Sequence, residues 1–549
     1  MKKLIRTYMH KNSILTMLLL LLAFLPVKGQ EFISLHTDKP FYIAGERIWF
    51  SAYVLGEKGE AISEGNLLIS LYDESGIKVQ DHLVSVEGGK AVGDMYLDEA
   101  LEAGNYLLRF VSPDVKQAQV YIQDAILPIL HPSQLQSIQL SDATSEPAFS
   151  GDVPTSGVQA GGKLSASSVG ANQSVELDIP EGANANVSVV VRHLSQVGME
   201  EISWLPASFV PQSSSLGLAS DSWNVSADLT KPSGGIIPST VNVYWVEQDS
   251  QILAKVSDGK LMLPLPKRSG TQHFQLLDAS PFPDHNFQAK WKQLSDLEIP
   301  LPRVPTMGEP SEAQKNYLYW SQRRKLVERL FQISMLEAVE EEKTLVRTKP
   351  DKSYSSQKYL AFRDLEAFFK EVLAPAIKMV NTKEGKSIRM LNFDSRVRFT
   401  QPPLIFLDDY LMKDITQLWE VNWNNVDYIE VFGSHEAMFP RFGPMGQGRG
   451  VIRLFTKGRQ DFTGKVDFLP TYELEAYAGR NRFLIPENDQ ETPDLRPILF
   501  WDGELRINEE GKLRLSFPQS DLKGAFLLEV KGMKPEGEIF SSFYQYVIE

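Results

Sequence analysis

Short apolar or alternating runs recur along most of this 549-residue chain, with turn signals between them. Gly, Asn and Ser supply the backbone conformations that tight turns need. In the N-terminal part the turns lie at 74–76, 87–89 and 103–105, and the runs lie at 33–36, 48–55, 67–73, 77–84, 91–97, 106–110 and 118–122. Several short strands at this spacing are typical of sandwiches, so the pattern predicts a β-sandwich over residues 31–125.

Three later stretches show the same pattern less completely. Residues 126–200 predict a second, degenerate β-sandwich, which includes a linker rich in Ser, Gly and Pro at 140–162. Residues 201–297 predict an extended segment followed by a small β module. Residues 461–549 return to alternating runs, with a hairpin turn at 508–511, and predict a C-terminal β-sandwich.

Residues 298–355 predict a Pro-rich linker and a helix. Pro300, Pro302, Pro305 and Pro310 stiffen the linker. Ser311 with Gln314 three residues later forms a capping-box signature for the helix start. The apolar side of this helix is predicted to hold Tyr319, Leu326, Leu330, Ile333 and Leu336. A second helix is predicted near 360–373, with Leu365, Phe369 and Val372 buried and Pro375 ending it.

The stretch from residue 401 to residue 458 predicts three buried strands, at 404–407, 428–432 and 451–455. An amphipathic segment lies between the first two strands, and a Gly-rich loop precedes the third. With the helix before it, this stretch predicts a small mixed α/β domain over residues 356–460. The fold class expected for the whole chain is therefore multi-domain and mainly β, with sandwiches, one mixed domain and a short helical segment.

The mixed domain resembles the plug domain of TonB-dependent outer-membrane receptors. The family has an apolar strand ending in Asp-Gly, an I-E-V strand, a Gly-rich loop and a closing Thr-Lys. This chain has Asp in both positions of the Asp-Gly pair and matches the remaining elements. The resemblance marks the candidate plug-motif residues Asp408, Asp409, Glu430, Gly448, Gly450 and Lys457.

The segment from Thr37 to Glu46, TDKPFYIAGE, resembles the start of a macroglobulin domain of the alpha-macroglobulin family, with Ala44 in place of a family proline. Residues 499–521 resemble a second domain of that type. The sandwiches are accordingly expected to be macroglobulin-like or immunoglobulin-like. Family members that trap proteinases use a Cys-Gly-Glu-Gln thioester. This chain has no cysteine, so that covalent chemistry is excluded.

No catalytic, metal or cofactor-binding site is predicted. The eight histidines are scattered, and without cysteine the usual zinc spacings are absent. The glycines at 443, 446 and 448 precede a predicted strand, whereas a dinucleotide loop precedes a helix. Adjacent Asp408 and Asp409 could ligate a hard cation, but a tight turn is the favoured interpretation, because Asp tolerates left-handed turn conformations.

The net charge and the N-terminal segment indicate which partners are disfavoured and where in the cell the protein is located. The net charge of −14 disfavours nucleic acid and anionic lipid as partners. Residues 1–29 combine basic residues, an apolar core and a small residue before the expected cut, which is the pattern of a secretory signal peptide. After cleavage no transmembrane segment is expected. We therefore expect an exported protein in the periplasm or at the outer membrane.

The layout resembles exported envelope proteins of Bacteroidetes-type bacteria, which join macroglobulin-like domains to a plug-like domain without a barrel. A transport barrel needs roughly 220 strand residues, and 91 residues follow Gly458. The expectation is a non-enzymatic docking module with a protein partner, an outer-membrane β-barrel among the candidates. Two alternatives stay open: a plug acting in trans in a TonB-dependent uptake system, and a macroglobulin-like peptidase-binding protein without a thioester.

Overall fold

The structure is a computed structural model, and it describes residues 33–56, 59–114, 119–136, 172–198, 202–211, 222–231, 236–279, 287–293, 299–331, 336–338, 349–383, 385–458, 466–485 and 493–548. Its elements are overwhelmingly strands arranged in several sheets, so the predicted multi-domain, mainly β fold class is confirmed. The predicted signal peptide at 1–29 lies outside the described residues.

The first sandwich occupies the N-terminal part of the chain. Its strands run in the sheet order β1-β3-β6-β5-β4-β7-β8, and β5 and β6 share only the register pair Glu87–Lys90, so the sheet folds over at that hairpin. The two faces enclose a core that includes Phe50, Leu67 and Phe110. The strands are β1 (Ile33–Thr37), β2 (Tyr42–Ile43), β3 (Arg47–Val54), β4 (Glu64–Tyr72), β5 (Lys78–Glu87), β6 (Lys90–Tyr96), β7 (Gly104–Asp114) and β8 (Gln119–Leu130).

The chain then leaves this sandwich and comes back to it. After a 3-10 turn at Pro132–Gln136, two strands and the four-residue helix α1 lie away from the first sheet, and two short strands then pair with β8. These elements are β9 (Asn172–Asp178), a 3-10 turn at Pro180–Gly182, β10 (Asn186–His193), α1 (Leu194–Val197), β11 (Ser203–Trp204) and β12 (Ser208–Pro211).

The small β module follows, with four strands where they were predicted and two more beside them. The two additional strands are the first and the last of the six. The strands are β13 (Trp223–Thr230), β14 (Thr240–Trp245), β15 (Ser250–Ser257), β16 (Lys260–Leu265), β17 (Thr271–Asp278) and β18 (Gln288–Lys292). The sheet order is β18-β13-β16-β15-β14-β17.

The Pro-rich linker runs along the first sandwich, where the Arg109 guanidinium donates to the carbonyls of Ile299 and Pro300 at 3.0 Å. It leads into α2 (Glu312–Phe331), whose predicted capping box is present. The Ser311 amide donates to Gln314 Oε1 at 2.8 Å, and the Gln314 amide donates to Ser311 Oγ at 3.3 Å.

The predicted apolar side of α2 is wrong. Leu326 and Leu330 are exposed, and Leu336 lies beyond the helix in a short strand. The buried side instead carries Gln314, Tyr317, Leu318, Ser321 and Arg324. Hydrophobic periodicity could not find this side, because most of its members are polar and are buried through hydrogen bonds. Ile333 lies outside the described residues.

The mixed module contains the three predicted strands in one five-stranded sheet of order β20-β25-β26-β23-β24. Strands β23 and β26 are parallel, whereas β25 and β26 are antiparallel. The elements from this point are β19 (Leu336–Ala338), β20 (Lys352–Ser355), α3 (Leu365–Glu371), β21 (Ile377–Thr382), β22 (Gly385–Met390), β23 (Leu404–Leu407), β24 (Tyr410–Leu411), β25 (Val426–Phe432), α4 (His435–Phe442) and β26 (Val451–Thr456), with 3-10 turns at Ser356–Tyr359, Ile415–Glu420, Trp423–Asn425 and Gly443–Gly446.

The last strands do not form a sandwich of their own. They are β27 (Thr471–Glu475), β28 (Asn481–Phe483), β29 (Ile498–Arg506), β30 (Lys512–Pro518), β31 (Gly524–Met533) and β32 (Ile539–Ile548). Strand β27 pairs with β17 of the small β module, and β28 pairs with β19. The mixed module is therefore an insertion between strands of the small β module.

The remaining strands complete a second sandwich with β9 and β10. One sheet has the order β29-β10-β31-β32, and the other pairs β30 with β9. The regions 126–200 and 461–549, predicted as two separate sandwiches, thus contribute to a single one in the described residues. The reason is physical: β10 (VSVVVRH from Val187) is buried on both faces, and its two edges are paired with β29 and β31.

Candidate functional site

The two residues Asp408 and Asp409 form the whole loop of a β-hairpin. Leu407 pairs with Tyr410 across it, and the φ angles of the two Asp residues are 48° and 75°. Positive φ at both loop positions is the type I′ hairpin geometry, which Asp, Asn and Gly tolerate. The tight turn favoured from the sequence is present, and it does not need the glycine of the Asp-Gly pattern.

Asp408 points back into the sheet. Its carboxylate accepts the backbone amide of Thr456 at 2.7 Å and the Thr456 hydroxyl at 2.5 Å. The side chain is buried. Asp408 therefore closes the end of the parallel pair β23–β26, and its role is structural.

Asp409 points the other way, to an arginine that the sequence analysis did not select. Arg453 lies on β26, is 2% exposed, and pairs with Asp409. Its Nη1 also lies 2.7 Å from Asp249 Oδ2 and 3.9 Å from Glu430 Oε2. Arg441 of α4 pairs with Asp249 and lies 3.8 Å from Glu430. We refer to these two arginines and three carboxylates as the Arg453 cluster.

The Arg453 cluster joins two modules. Asp249 belongs to the turn between β14 and β15 of the small β module, and the Tyr244 hydroxyl donates to its Oδ1 at 2.7 Å. The other four residues belong to the mixed module. Burial raises the pKa of Tyr244 well above its usual value, so this phenol remains a hydrogen-bond donor.

Apolar packing surrounds the cluster at the same boundary. Tyr244 and Leu277 of the small β module pack with residues of the mixed module that include Phe406, Phe432 and Phe442. The Gln275 side chain also bridges the boundary, accepting the Leu411 amide at 2.8 Å. One face of the mixed module is thereby covered within the chain itself.

The remaining plug-motif residues lie elsewhere. Gly448 and Gly450 precede β26 with φ angles of 77° and 74°, and a Cβ on Gly450 would overlap Met390. Lys457 follows β26, and its Nζ donates to the Asn424 carbonyl at 3.0 Å. The structure thus brings together Asp409 and Glu430, holds Asp408 beside them, and separates the two glycines and Lys457 from that cluster.

One signal for Arg453 was present in the sequence. A charged residue within the apolar strand VIRLFT needs a buried counter-charge. The identity of that partner could not be read, because Asp249 lies 204 residues away along the chain.

A Ser-His-Glu grouping also lies in the structure, between the two sandwiches. Ser188 Oγ is 2.7 Å from His36 Nδ1, and Glu529 Oε1 is 3.6 Å from His36 Nε2. Burial lowers the pKa of His36 well below its usual value, and the cations Lys531, Arg192 and Lys90 lower it further.

This grouping lacks the access that nucleophilic catalysis requires. Ser188 is fully buried, and its Oγ is also 2.8 Å from the Tyr53 hydroxyl. The cavity beside His36 and Glu529 is only about 30 Å³, which is room for a water molecule and no substrate. Together with Lys531, which donates to the Leu35 carbonyl at 2.9 Å, these residues hold the sandwiches against each other.

The segment from Thr37 to Glu46 forms a third buried network. Lys39 Nζ lies 3.0 Å from Glu46 Oε2 and donates to the Tyr317 hydroxyl of α2 at 3.0 Å. That hydroxyl in turn donates to Glu46 Oε1 at 2.7 Å. Burial alone would lower the pKa of Lys39, but Glu46, Tyr317 and Asp38 outweigh it and raise that pKa above its usual value. The segment therefore docks α2 on the first sandwich.

Metal ligands and membrane spans were sought in the same part of the chain. Within the described ranges, no group of three or more His, Asp or Glu side chains could hold a metal ion. Among the helices described above, none has both the length and the apolar character needed to cross a bilayer.

Comparisons with known proteins do not identify a family for the chain. No protein-family model matches the chain, and no curated protein matches its sequence. Among solved structures, elastase-activated alpha-2-macroglobulin of Escherichia coli is similar at 8% identity and a TM-score of 0.25, covering 94% of this chain and 43% of that one.

Two other structures are similar at comparable levels. Methylamine-reacted alpha-2-macroglobulin of Salmonella has 8% identity and a TM-score of 0.22, with 94% and 39% of the two chains covered. A DUF4785 family protein of Legionella pneumophila has 10% identity and a TM-score of 0.15, with 45% and 51% covered. The chain spans about two fifths of the alpha-2-macroglobulins' length. The mainly β fold class follows from the strand topology itself.

Proposed function

We propose that the chain is an exported, non-enzymatic cell-envelope protein that docks a protein partner of the outer-membrane transport or assembly machinery. The observation that carries the proposal is strand β32, at the edge of the second sandwich. Its ten residues, IFSSFYQYVI, contain no charge and no proline. In the described part of the sheet its only ladder is to β31.

Edge strands of this kind are usually protected. Natural proteins shorten them, place Lys or Pro on them, or cover them, because an open edge templates pairing with another chain. Strand β32 uses neither charge nor proline, and Val547 on it is 53% exposed. An extended peptide could add to it as a further strand, with main-chain hydrogen bonds giving affinity.

The non-enzymatic part of the proposal is supported by where the reactive side chains lie. Ser188 and His36 are enclosed between the sandwiches, and the acidic plug-motif residues pair with Arg453 or Thr456. A fluorophosphonate probe is expected to leave Ser188 unlabelled in the folded chain. Stoichiometric labelling of Ser188 under native conditions would overturn this part.

A plug acting in trans remains the alternative. The resemblance of residues 356–460 to receptor plugs motivates it. Entry into a barrel through the face around Phe406 and Phe432 would require the mixed module to leave the small β module, breaking the Arg453 cluster. The proposal therefore favours docking through the second sandwich.

Site-specific photocrosslinking separates the two. A photoreactive phenylalanine analogue is placed at Val547 on β32, at Val397 in the mixed module, and at Met262 on the small β module as the matched exposed control. The full chain is then irradiated with outer-membrane fractions of the source cell. Docking at β32 predicts a defined adduct from Val547, and the adduct is lost when Gln545 is also changed to proline.

Each outcome bears on one part of the proposal. An adduct from Val397 and none from Val547 would favour the plug in trans and overturn docking at β32. Adducts of equal yield from Val547 and Met262 would mean non-specific contact and would also overturn it. Protease shaving of intact cells then places the chain: digestion from outside indicates the cell surface, and protection indicates the periplasm.

A further inference from the structure

A cavity of about 470 Å³ lies where three modules meet. The first sandwich contributes Lys90 on β6, the small β module contributes Lys267 and Arg268, and the second sandwich contributes Glu504 on β29. The chain between β27 and β28 adds Arg480. We refer to this space as the junction cavity. Its volume falls in the range of small-molecule sites, which is roughly 300–1,000 Å³.

The junction cavity is basic within an acidic protein. Four cationic side chains line it, against the carboxylates of Glu87 and Glu504, whereas the chain as a whole carries −14. The carboxylates lie at the solvent side, since the Glu87 and Glu504 side chains are 76% and 60% exposed. The cationic side chains of the junction cavity are therefore buried more deeply than its carboxylates.

Lys90 is the deepest of these cations. It is 8% exposed, and its Nζ donates to the Val187 carbonyl at 2.8 Å and lies 5.4 Å from the Tyr53 ring centre. No carboxylate oxygen of the described residues lies within 4 Å of it. An ammonium group has three hydrogens to donate, so one carbonyl leaves it under-satisfied.

The electrostatics agree with this geometry. Burial lowers the pKa of Lys90 to about 7, and the more distant Asp502 and Glu504 counter this only in part. An anion beside Nζ would favour the ammonium form and restore that pKa. The buried amine and the cavity therefore form a site that an anion completes.

We propose that the junction cavity binds a small organic anion, a sugar carboxylate or sugar phosphate in size, with the Lys90 ammonium as the buried contact. Lys267, Arg268 and Arg480 surround the opening. Lys267 Nζ lies 3.7 Å from a Glu87 oxygen and Arg480 pairs with Glu504, so an arriving anion competes with these two exposed carboxylates for the cations. Because the ligand touches three modules at once, binding stabilises their arrangement. This inference is independent of the docking proposed at β32.

The test uses the full chain and four probes at constant ionic strength. Glucuronate and glucose 6-phosphate are anionic, glucose is their neutral counterpart, and inorganic phosphate tests the charge alone. Thermal shift and calorimetry are expected to give saturable binding of at least one anionic sugar and none of glucose. A tighter glucuronate identifies a carboxylate site, and a tighter glucose 6-phosphate identifies a phosphate site.

Lys90→Met is the decisive variant, and Lys260→Met, an exposed lysine on β16, is its matched control. Lys90→Met is expected to weaken binding at least tenfold while circular dichroism stays unchanged, and Lys260→Met is expected to bind as the parent does. Calorimetry at pH 8 in buffers of different ionisation enthalpy is expected to show proton uptake on binding, and Lys90→Met abolishes it.

Three results would overturn the proposal. The first is equal affinity of Lys90→Met and the parent chain for the anion, and the second is binding of glucose as tight as that of glucuronate. The third is no saturable response to any of the anions up to 10 millimolar, a concentration about tenfold above a weak Kd of roughly 1 millimolar.

Discussion

The Thr37–Glu46 segment and the Arg453 cluster both bury charge at a boundary between elements, but they assemble it differently. In the first, Asp38, Lys39 and Glu46 come from one short stretch, and Tyr317 of α2 is distant in sequence. In the Arg453 cluster, five charged residues come from separate turns, strands and a helix, across two modules.

The difference explains what each motif is for. The Lys39–Glu46 part of the first network forms as soon as its own stretch has folded, so it can serve as a fixed receptor for the Tyr317 hydroxyl of the arriving α2. A network whose residues belong to both modules forms only when the modules are in contact, so it depends on their docking and stabilises it. Removing one member should therefore have the larger effect in the Arg453 cluster.

Arg453→Met is expected to have the largest effect on stability. It leaves Asp409, Asp249 and Glu430 facing Arg441 alone in a buried site, and breaking a buried pair in this way costs about 3–5 kcal/mol. Urea unfolding followed by tryptophan fluorescence should show the transition of the mixed and small β modules shifted by that amount.

The matched control is Arg514→Met, because Arg514 pairs with Glu176 at 2.6 Å but is 84% exposed. Exposed ion pairs contribute little to the free energy of unfolding, so no measurable shift of the urea transition is expected. Equal shifts for the two variants would show that the Arg453 cluster does not hold the modules together.

Lys39→Met is expected to cost somewhat less, about 2–4 kcal/mol. Glu46 keeps hydrogen bonds from the Ile43 amide and the Tyr317 hydroxyl, and methionine retains the buried methylenes. Hydrogen exchange should show α2 losing protection around Tyr317 while the mixed module keeps its own. The control is Lys315→Met of the same helix, because the Lys315 side chain is 26% exposed and pairs with the exposed Glu312. Loss of protection in that variant as well would contradict a specific role for Lys39.

Lys90 is the contrasting case, a buried cation that has no carboxylate oxygen of the described residues within 4 Å. Its pKa is about 7 in the folded chain against 10.5 normally, so between these pH values the unfolded chain binds more protons. The free energy of unfolding should therefore rise with pH in this window, by up to about 1.4 kcal/mol per pH unit.

Lys90→Met should remove that slope and stabilise the ligand-free chain by about 1–3 kcal/mol at pH 7. Urea midpoints at several pH values between 7 and 10 measure both effects, with Lys260→Met as the control. A slope that persists in Lys90→Met would mean that another group is responsible.

The smallest effect is expected at the Asp408 turn. Asp408→Asn keeps a residue that tolerates positive φ and loses part of the bonding to Thr456, which should cost about 1 kcal/mol. Asp408→Ala adds the cost of a left-handed backbone, about 1–2 kcal/mol. Chemical denaturation of both variants measures which has the lower free energy of unfolding. An alanine variant as stable as the asparagine variant would contradict the turn assignment.

The sequence predicted local features well, because they depend on neighbours within a few residues. The strands around Phe406, Ile429 and Ile452, the capping box at Ser311 and the turn at Asp408 all belong to this kind. Periodicity or turn chemistry within one short window determines each of them.

It did not predict what pairs across the chain. The polar buried side of α2, around Arg324, depends on Gln196, and Arg453 depends on Asp249. The single second sandwich depends on ladders between β10 and strands at the far end of the chain. Hydrophobic patterns give the face that a residue prefers and do not give its partner, so these features needed the tertiary structure.

The path of β10 also sets an order of assembly. Arg192 on β10 pairs with Glu529, 337 residues later, so the second sandwich cannot close until nearly the whole chain is available. Until then β10 presents the apolar face of Val187, Val189 and Val191 and two unpaired edges, a state that favours aggregation. Contacts of such long sequence separation make folding slow. We therefore expect this strand to be the segment on which a chaperone acts longest, while the first sandwich is already complete.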